Sequence, residues 1–310
     1  MEAHSIFHNR YELEKLLGRG AYSEVWLAKD TKTNVQVALK IFAPATGLDD
    51  MGLDMFAREF SLVADVSNPN ILKPLYFEFD RKPYLVLPYC KEGSVKNRIG
   101  QLTEDAAWEI IHDVAKGLKA LHSHQPPIIH QDIKPDNIMV SSDGHYMITD
   151  FGVSTHLHST LRKSVSANFT SAGTRAYMAP ERFSRHKTPI MASDVYSLGA
   201  TVYELLTGDA PFGEEGGLLQ KSGADIPELE GDYSTELKDL IEGCLSLNPW
   251  DRPTVDTLAE TTPVFNSAVK IKENFSITPT PPNPIKSVYI ITGLAIVGIV
   301  LGIILGFYFG

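Results

Sequence analysis

The chain is poor in cysteine: Cys90 and Cys244 are the two it has in 310 residues. Two thiols so far apart exclude a disulfide framework and suit a reducing compartment. A positive excess is also lacking. The formal charge of −10 argues against a nucleic-acid partner held through phosphate contacts. The opening "MEAHSIFHNRYE" has no apolar run of the sort a secretion signal needs, so no signal peptide is expected. Internal repeats are lacking too. Beyond Lys286 charge of either sign disappears altogether.

That last absence singles out "VYIITGLAIVGIVLGIILGFYF", Val288 to Phe309, a run of 22 uncharged, mostly apolar residues. As a helix it would be about 33 Å long, against a hydrocarbon core of roughly 30 Å. A buried core helix is the alternative, but such helices rarely run this far without a polar face. A single membrane span is therefore expected at residues 288–309. Lys270, Lys272 and Lys286 precede it, in keeping with the positive-inside tendency. Gly298, Gly302, Gly306 and Gly310 recur every four residues, on one helix face. That face would let two helices approach closely, although glycine is frequent in membrane helices in any case. Residues 261–287 include "TPTPPNP" and read as a stiff linker, since proline favours extended polyproline II.

The chain as a whole is 43% apolar, enough for a sizeable core, and the part before residue 261 changes pattern midway. In "NVQVALKIF" period-2 alternation puts Val35, Val37, Leu39 and Ile41 on one strand face and Gln36, Ala38 and Lys40 on the other. From Thr103 the period is helical. Ala107, Ile110, Ile111, Val114, Leu118 and Leu121 form an apolar stripe behind a Thr103 N-cap, and Glu104 and Asp105 suit the positive helix start. Strand-rich first, helix-rich later, this is an α+β pattern with two lobes expected over residues 11–260.

Several short stretches carry chemistry. In "LGRGAYSEVWLA", from Leu17, the glycines Gly18 and Gly20 sit between strand-like runs, where bare backbone can approach phosphate; a tight hairpin turn accounts for two glycines equally well. In "VALK", the small Ala38 can lie flat against an aromatic base while Lys40 reaches phosphate oxygens; taken alone, a strand lysine is usually a solvated charge. In "HQDIKPDN", residues 130–137, Asp132 can orient a hydroxyl and accept its proton, Lys134 can neutralise a transferring phosphoryl group and Asn137 can hold Mg²⁺ through its carbonyl oxygen. His130 reads as a packing residue. In "TDFGVS", Asp150 adds a carboxylate of the kind Mg²⁺ takes alongside phosphate oxygens.

Together these stretches resemble the protein kinase family. The chain follows the order of its glycine-rich loop, V-A-I-K, H-R-D-x-K-x-x-N, D-F-G and A-P-E motifs over about residues 11–260. The resemblance implies a bilobal kinase fold, with ATP and Mg²⁺ as cofactors and serine or threonine hydroxyls of proteins as acceptors. It implies that Glu59 orients Lys40, with Glu12, Glu14 and Glu24 as rivals for that task. It implies that Leu87 is the gatekeeper, that the Pro88 carbonyl and the Cys90 N–H meet the adenine edge, and that Val25 and Met139 wall it. Thr174 in "GTRAYMAPE" would bond to the catalytic Asp and Lys. Asp194 in "SDVYSLG" would anchor the catalytic loop, and Arg252 in "DRPT" would pair with Glu181. The lysine in the catalytic loop resembles the serine/threonine branch.

One residue departs from the pattern. Gln131 stands where most of the family has arginine, which helps bind a phosphorylated activation segment. Glutamine cannot repeat that, so activity is expected not to depend strongly on a phosphate captured here. A pseudokinase scaffold is the alternative, but it would lack one of Lys40, Glu59, Asp132, Lys134, Asn137 or Asp150, and all six are in place. A small-molecule kinase is disfavoured by "GTRAYMAPE". With the span at the C-terminus, the kinase domain is expected on the cytosolic side, acting on protein substrates at the membrane face. The lipid bilayer would be a partner, and a homodimer could form through Gly298, Gly302 and Gly306.

Overall fold

The computed structural model describes residues 1–20, 23–42, 50, 53–54, 57, 65–79, 82–150, 175–184 and 190–261. The chain separates into two units, Met1–Pro263 and Val264–Gly310. The second, with the predicted span at 288–309 and most of the predicted linker, lies outside the described residues. No helix among the described residues is long and apolar enough to cross a membrane.

The strands described in the N-terminal part form one antiparallel sheet. Strands β1 (Ile6–Phe7), β2 (Tyr11–Arg19), β3 (Ser23–Asp30), β4 (Gln36–Phe42), β5 (Tyr76–Glu78) and β6 (Tyr84–Pro88) line up in the order β1-β2-β3-β4-β6-β5. Register sets which residues meet. Val25 lies opposite Lys40, and Gly18 opposite Val25. On the other side of β4, Ala38 faces Leu87 and Lys40 faces Leu85.

Both faces of β4 are covered, which alternation did not anticipate. Val37, Leu39 and Ile41 pack with Tyr11, Leu13, Trp26 and Tyr84 on one face. Ala38 and Phe42 pack with Leu72, Leu85 and Leu87 on the other. The strand begins at Gln36, so Val35 falls in the preceding turn and is exposed. Its place in the alternation is corrected accordingly: the period-2 pattern starts one residue later than the apolar residues suggest.

The C-terminal part is built on helix α1 (Glu104–His122) and helix α2 (Met191–Thr207). Thr103 caps α1 by accepting the Ala106 N–H, and the whole predicted stripe from Ala107 to Leu121 is buried. Helix α2 is buried over most of its length and ends at Gly208, in the left-handed conformation that glycine adopts without strain. Around them stand α3 (Gly217–Lys221), α4 (Thr235–Cys244) and α5 (Val255–Glu260). Gly199 lets α2 close on α4, because a Cβ there would come within 2.6 Å of the Cys244 Cβ. A two-stranded hairpin, β7 (Ile138–Val140) with β8 (Tyr146–Ile148), carries the loops that make the site. It joins the first part through Leu72 N–H to Ile148 O at 2.9 Å and Val140 N–H to Gly93 O at 3.0 Å.

Candidate active site

Five residues read as an adenine wall come together. Val25, Cys90 and Met139 pack against the buried cluster that contains Ala38 and Leu87. Leu17, at the rim of the glycine-containing loop, is exposed; Gly18 has open space around it, and Gly20 lies against Ser23, its N–H bonded to Ser23 O at 2.8 Å. Burial pushes the Cys90 thiol up, so it stays a neutral part of the wall. Pro88 ends β6 and Cys90 opens the turn that follows, where its carbonyl takes the Gly93 N–H at 3.0 Å.

Lys40 is buried and forms a close ion pair with Asp150 Oδ1. Burial works to raise the Asp150 carboxyl, but the Lys40 ammonium outweighs it and holds the group below the usual carboxylate range. Glu59, the expected partner of Lys40, lies outside the described residues, as does Thr174. Two of the rivals are occupied elsewhere. Glu24 accepts from Trp26 Nε1 and pairs with Arg19, and Glu14 accepts from Gln36.

The loop around Asp132 is fixed from both ends. Asp132 accepts Lys134 Nζ at both carboxylate oxygens, 3.0 and 2.9 Å away. Asn137 Nδ2 donates to the Asp132 carbonyl at 2.8 Å and to Oδ2 at 2.9 Å. The amide nitrogen is thereby committed, which leaves Asn137 Oδ1 as the atom able to ligate a cation. With the Asp150 carboxylate, it supplies the donor set that Mg²⁺ takes alongside phosphate oxygens, so these residues fit MgATP. No cluster of three or more histidine, cysteine or acidic residues suited to a metal occurs among the described residues. Gln131 and Asp150 have φ of 67° and 65°. Left-handed backbone at two non-glycine residues beside the chemistry is strain of the kind that functional sites hold.

Asp194 explains how the loop keeps this shape. Fully buried, its carboxylate accepts His130 N–H at 2.8 Å, Gln131 N–H at 2.7 Å and His122 Nε2 at 2.9 Å. The Glu181–Arg252 pair is bidentate, at 2.8 and 2.9 Å, and Ser193 Oγ adds a third bond to Glu181 at 2.7 Å. Burial tends to raise the Glu181 carboxyl, but Arg252 holds it low.

His130 is buried as the sequence suggests, yet it is not merely packed. Its Nε2 sits 3.0 Å from Thr149 O, where it must donate, and its Nδ1 accepts Asp132 N–H at 3.3 Å. The Nδ1 bond requires the neutral ring, and burial lowers its pKa below the ordinary value. The unfolded chain therefore takes up this proton first as pH falls. The contribution is fully present above about pH 6.5 and is lost as pH falls below it. Urea midpoints from pH 7.5 down to 5.5 should fall more steeply for the wild type than for His130→Phe; parallel curves would contradict the assignment.

Two contacts had no sequence signal. Tyr177 OH donates to Glu204 at 2.5 Å, and burial together with that carboxylate raises the phenol. Arg182 donates to Gln131 Oε1 at 2.7 Å. Tyr177 and Met178 face Gln131, Asp132 and Ile133 across a small cleft. In sequence these partners are 27 and 51 residues apart, with no periodicity linking them.

A sheet lobe whose strand lysine meets the aspartate after β8, with a helical lobe that clamps an Asp-Lys-Asn loop, is the arrangement of the protein kinase class. Residues 11–263 match the protein kinase domain, and the chain belongs to that family, whose members use ATP and Mg²⁺. It is similar to a probable serine/threonine-protein kinase PknB of Lactococcus lactis, 35% identical over 212 residues that cover 67% of this chain and 33% of that protein. It is also similar to Sporulation-specific protein 1 of Saccharomyces cerevisiae, 32% identical over 258 residues, 80% of this chain and 51% of the relative. Serine/threonine-protein kinase PLK4 of Xenopus laevis is 33% identical over 258 residues, 81% of this chain and 26% of the relative. The chain thus spans from about a quarter to half the length of these relatives.

Proposed function

We propose that this chain is a serine/threonine protein kinase held at a membrane by its C-terminal segment. The observation that carries the catalytic part is the geometry of Asp132. Its Oδ2 accepts from both Lys134 and Asn137, while among the described residues its Oδ1 accepts from Lys134 alone. Oδ1 is therefore the atom at which a substrate hydroxyl is oriented and its proton received. Lys134 holds both oxygens in place and adds positive charge beside the transfer. MgATP, when bound, supplies the γ-phosphoryl group and a cation that offsets charge on the phosphate oxygens. Asn137 Oδ1 and the Asp150 carboxylate would hold that cation. Lys40 would contact the phosphates, with Glu59 orienting it. Leu17, Gly18, Gly20, Val25, Ala38, Leu87, Pro88, Cys90 and Met139 would enclose the nucleotide and keep water away. Thr174 would brace Asp132 and Lys134 from the activation segment.

The test uses the full-length chain in detergent. Incubation with Mg²⁺ and γ-labelled ATP should label serine or threonine in added proteins, and chelation of Mg²⁺ should abolish the transfer. A chain that binds ATP yet labels nothing would be a scaffold instead.

The membrane part rests on the 22 uncharged residues from 288 to 309 and the three lysines before them. On this reading residues 11–260 form the kinase domain on the cytosolic side, 261–287 the linker and 288–309 the span. The linker's reach restricts the enzyme to protein substrates at that membrane face. The full chain should stay with membranes after alkaline carbonate washing, and a chain ending at Ser287 should not. The Gly298, Gly302 and Gly306 face would bring two chains together. Gly302→Leu with Gly306→Leu should then abolish crosslinked dimers in membranes; undiminished crosslinking would reject the dimer.

A further inference from the structure

We infer that Gln131 and Arg182 form a positioning pair that fastens the loop carrying Asp132 to the turn carrying Glu181. The inference rests on the kinase reading above and adds to it a residue, Arg182, that acts through another rather than on substrate.

Gln131 is held at three points. Its N–H donates to Asp194 at 2.7 Å, its Nε2 donates to Ile129 O at 3.4 Å, and its Oε1 accepts Arg182 Nη1 at 2.7 Å. The last bond is part-buried and charge-assisted, which makes it roughly twice as strong as a neutral one. Arg182 lies in the 3₁₀ turn Pro180–Phe183, next to Glu181. Glu181 is itself clamped by Arg252 and Ser193. A continuous path therefore runs from α2 and Arg252, through Glu181 and Arg182, to the residue preceding Asp132.

Charge makes the two positions complementary. Asp194 and Glu181 both act on the Arg182 guanidinium, against the burial that lowers its pKa. Arg182 thus places a cation among these carboxylates, while residue 131 offers a neutral acceptor. A second guanidinium at position 131 would meet the first across a hydrogen-bond distance, with no acceptor between them. One donor and one acceptor join the two side chains here without an anion between them.

A four-member cycle on the full-length chain tests this: wild type, Gln131→Arg, Arg182→Gln and the double variant, which exchanges donor and acceptor. Two properties are read, kcat and KM with a protein acceptor, and deuterium uptake at the amides of residues 130–132. Each single variant should lose about tenfold in kcat, with KM for ATP within about twofold, and exchange those amides faster. The double variant should recover to within about threefold of wild type, because the bond is re-formed with its polarity reversed. A double variant that falls by the product of the single losses overturns the pair, as do single variants with wild-type exchange. Should Gln131→Arg not fold, Arg182→Met keeps the stem and removes the donor. Exchange at residues 130–132 must then rise about tenfold, and unchanged exchange overturns the inference. If the wild type transfers no phosphate, the kinase reading fails, while the exchange measurements still decide the pair.

Discussion

Asp132→Asn should lower kcat by about 10³-fold while leaving the affinity for ATP within about twofold, the range that a positioned general base contributes. The hydrogen bonds dictate the size of the effect. Lys134 donates to both carboxylate oxygens and Asn137 donates to Oδ2. An asparagine has one oxygen to offer these donors and must turn it toward them. What then faces a substrate hydroxyl is an NH₂ group, which cannot accept a proton. Shape and loop anchoring are retained, since the Asn137 bond to the residue-132 carbonyl and the Asp194 clamp do not involve the altered atoms. Steady-state transfer to a protein acceptor, with nucleotide affinity measured separately, checks the prediction. A loss of less than about tenfold would remove Asp132 from the proton-accepting role.

The second large effect concerns Asp194, which touches no reacting atom. Asp194→Ala would leave the His130 and Gln131 N–H groups and the His122 ring nitrogen facing a dry cavity. Buried donors stripped of a charged acceptor cost about 3–5 kcal/mol in total. For a domain of this size that corresponds to a drop in Tm of roughly 10 °C. The same loss frees the backbone at Gln131, whose φ of 67° is held by this carboxylate. Activity should therefore fall even at temperatures where the variant is still folded. A thermal melt within about 2 °C of wild type would show that water or another group satisfies those donors.

How far the sequence disclosed this arrangement depended on the range of each signal. Local signals were legible. Thr103, Glu104 and the stripe from Ala107 to Leu121 describe α1 almost residue by residue, because capping and a 3.6-residue period are properties of neighbours. The nucleotide wall was legible for a different reason. Val25, Ala38, Leu87, Cys90 and Met139 stand at motif positions; register on the sheet brings Val25, Ala38 and Leu87 together, and Cys90 and Met139 pack onto them from outside that sheet. The same holds for Asp194 and for Arg252 with Glu181, which also stand at motif positions.

What escaped was set by tertiary packing. Alternation in β4 gave one buried face, but the strand is covered on both, and a small residue such as Ala38 carries no period-2 signature when its opposite face is also apolar. Strand β1 is two residues long, too short for any pattern. The Arg182 bond to Gln131 joins a residue that departs from the family pattern to an arginine that no motif marks. The sequence showed that residue 131 had lost a guanidinium; that one is delivered from position 182 follows only from how the turn Pro180–Phe183 lies against the loop.

The measurement that bears most directly on the central claim is the identity of the labelled amino acid. Full-length protein is given Mg²⁺, γ-labelled ATP and a mixture of acceptor proteins, and the products are hydrolysed and separated. The account predicts labelled phosphoserine or phosphothreonine with the wild type and almost none with Asp132→Asn. Equal labelling by the two proteins, or label confined to phosphotyrosine, would contradict it.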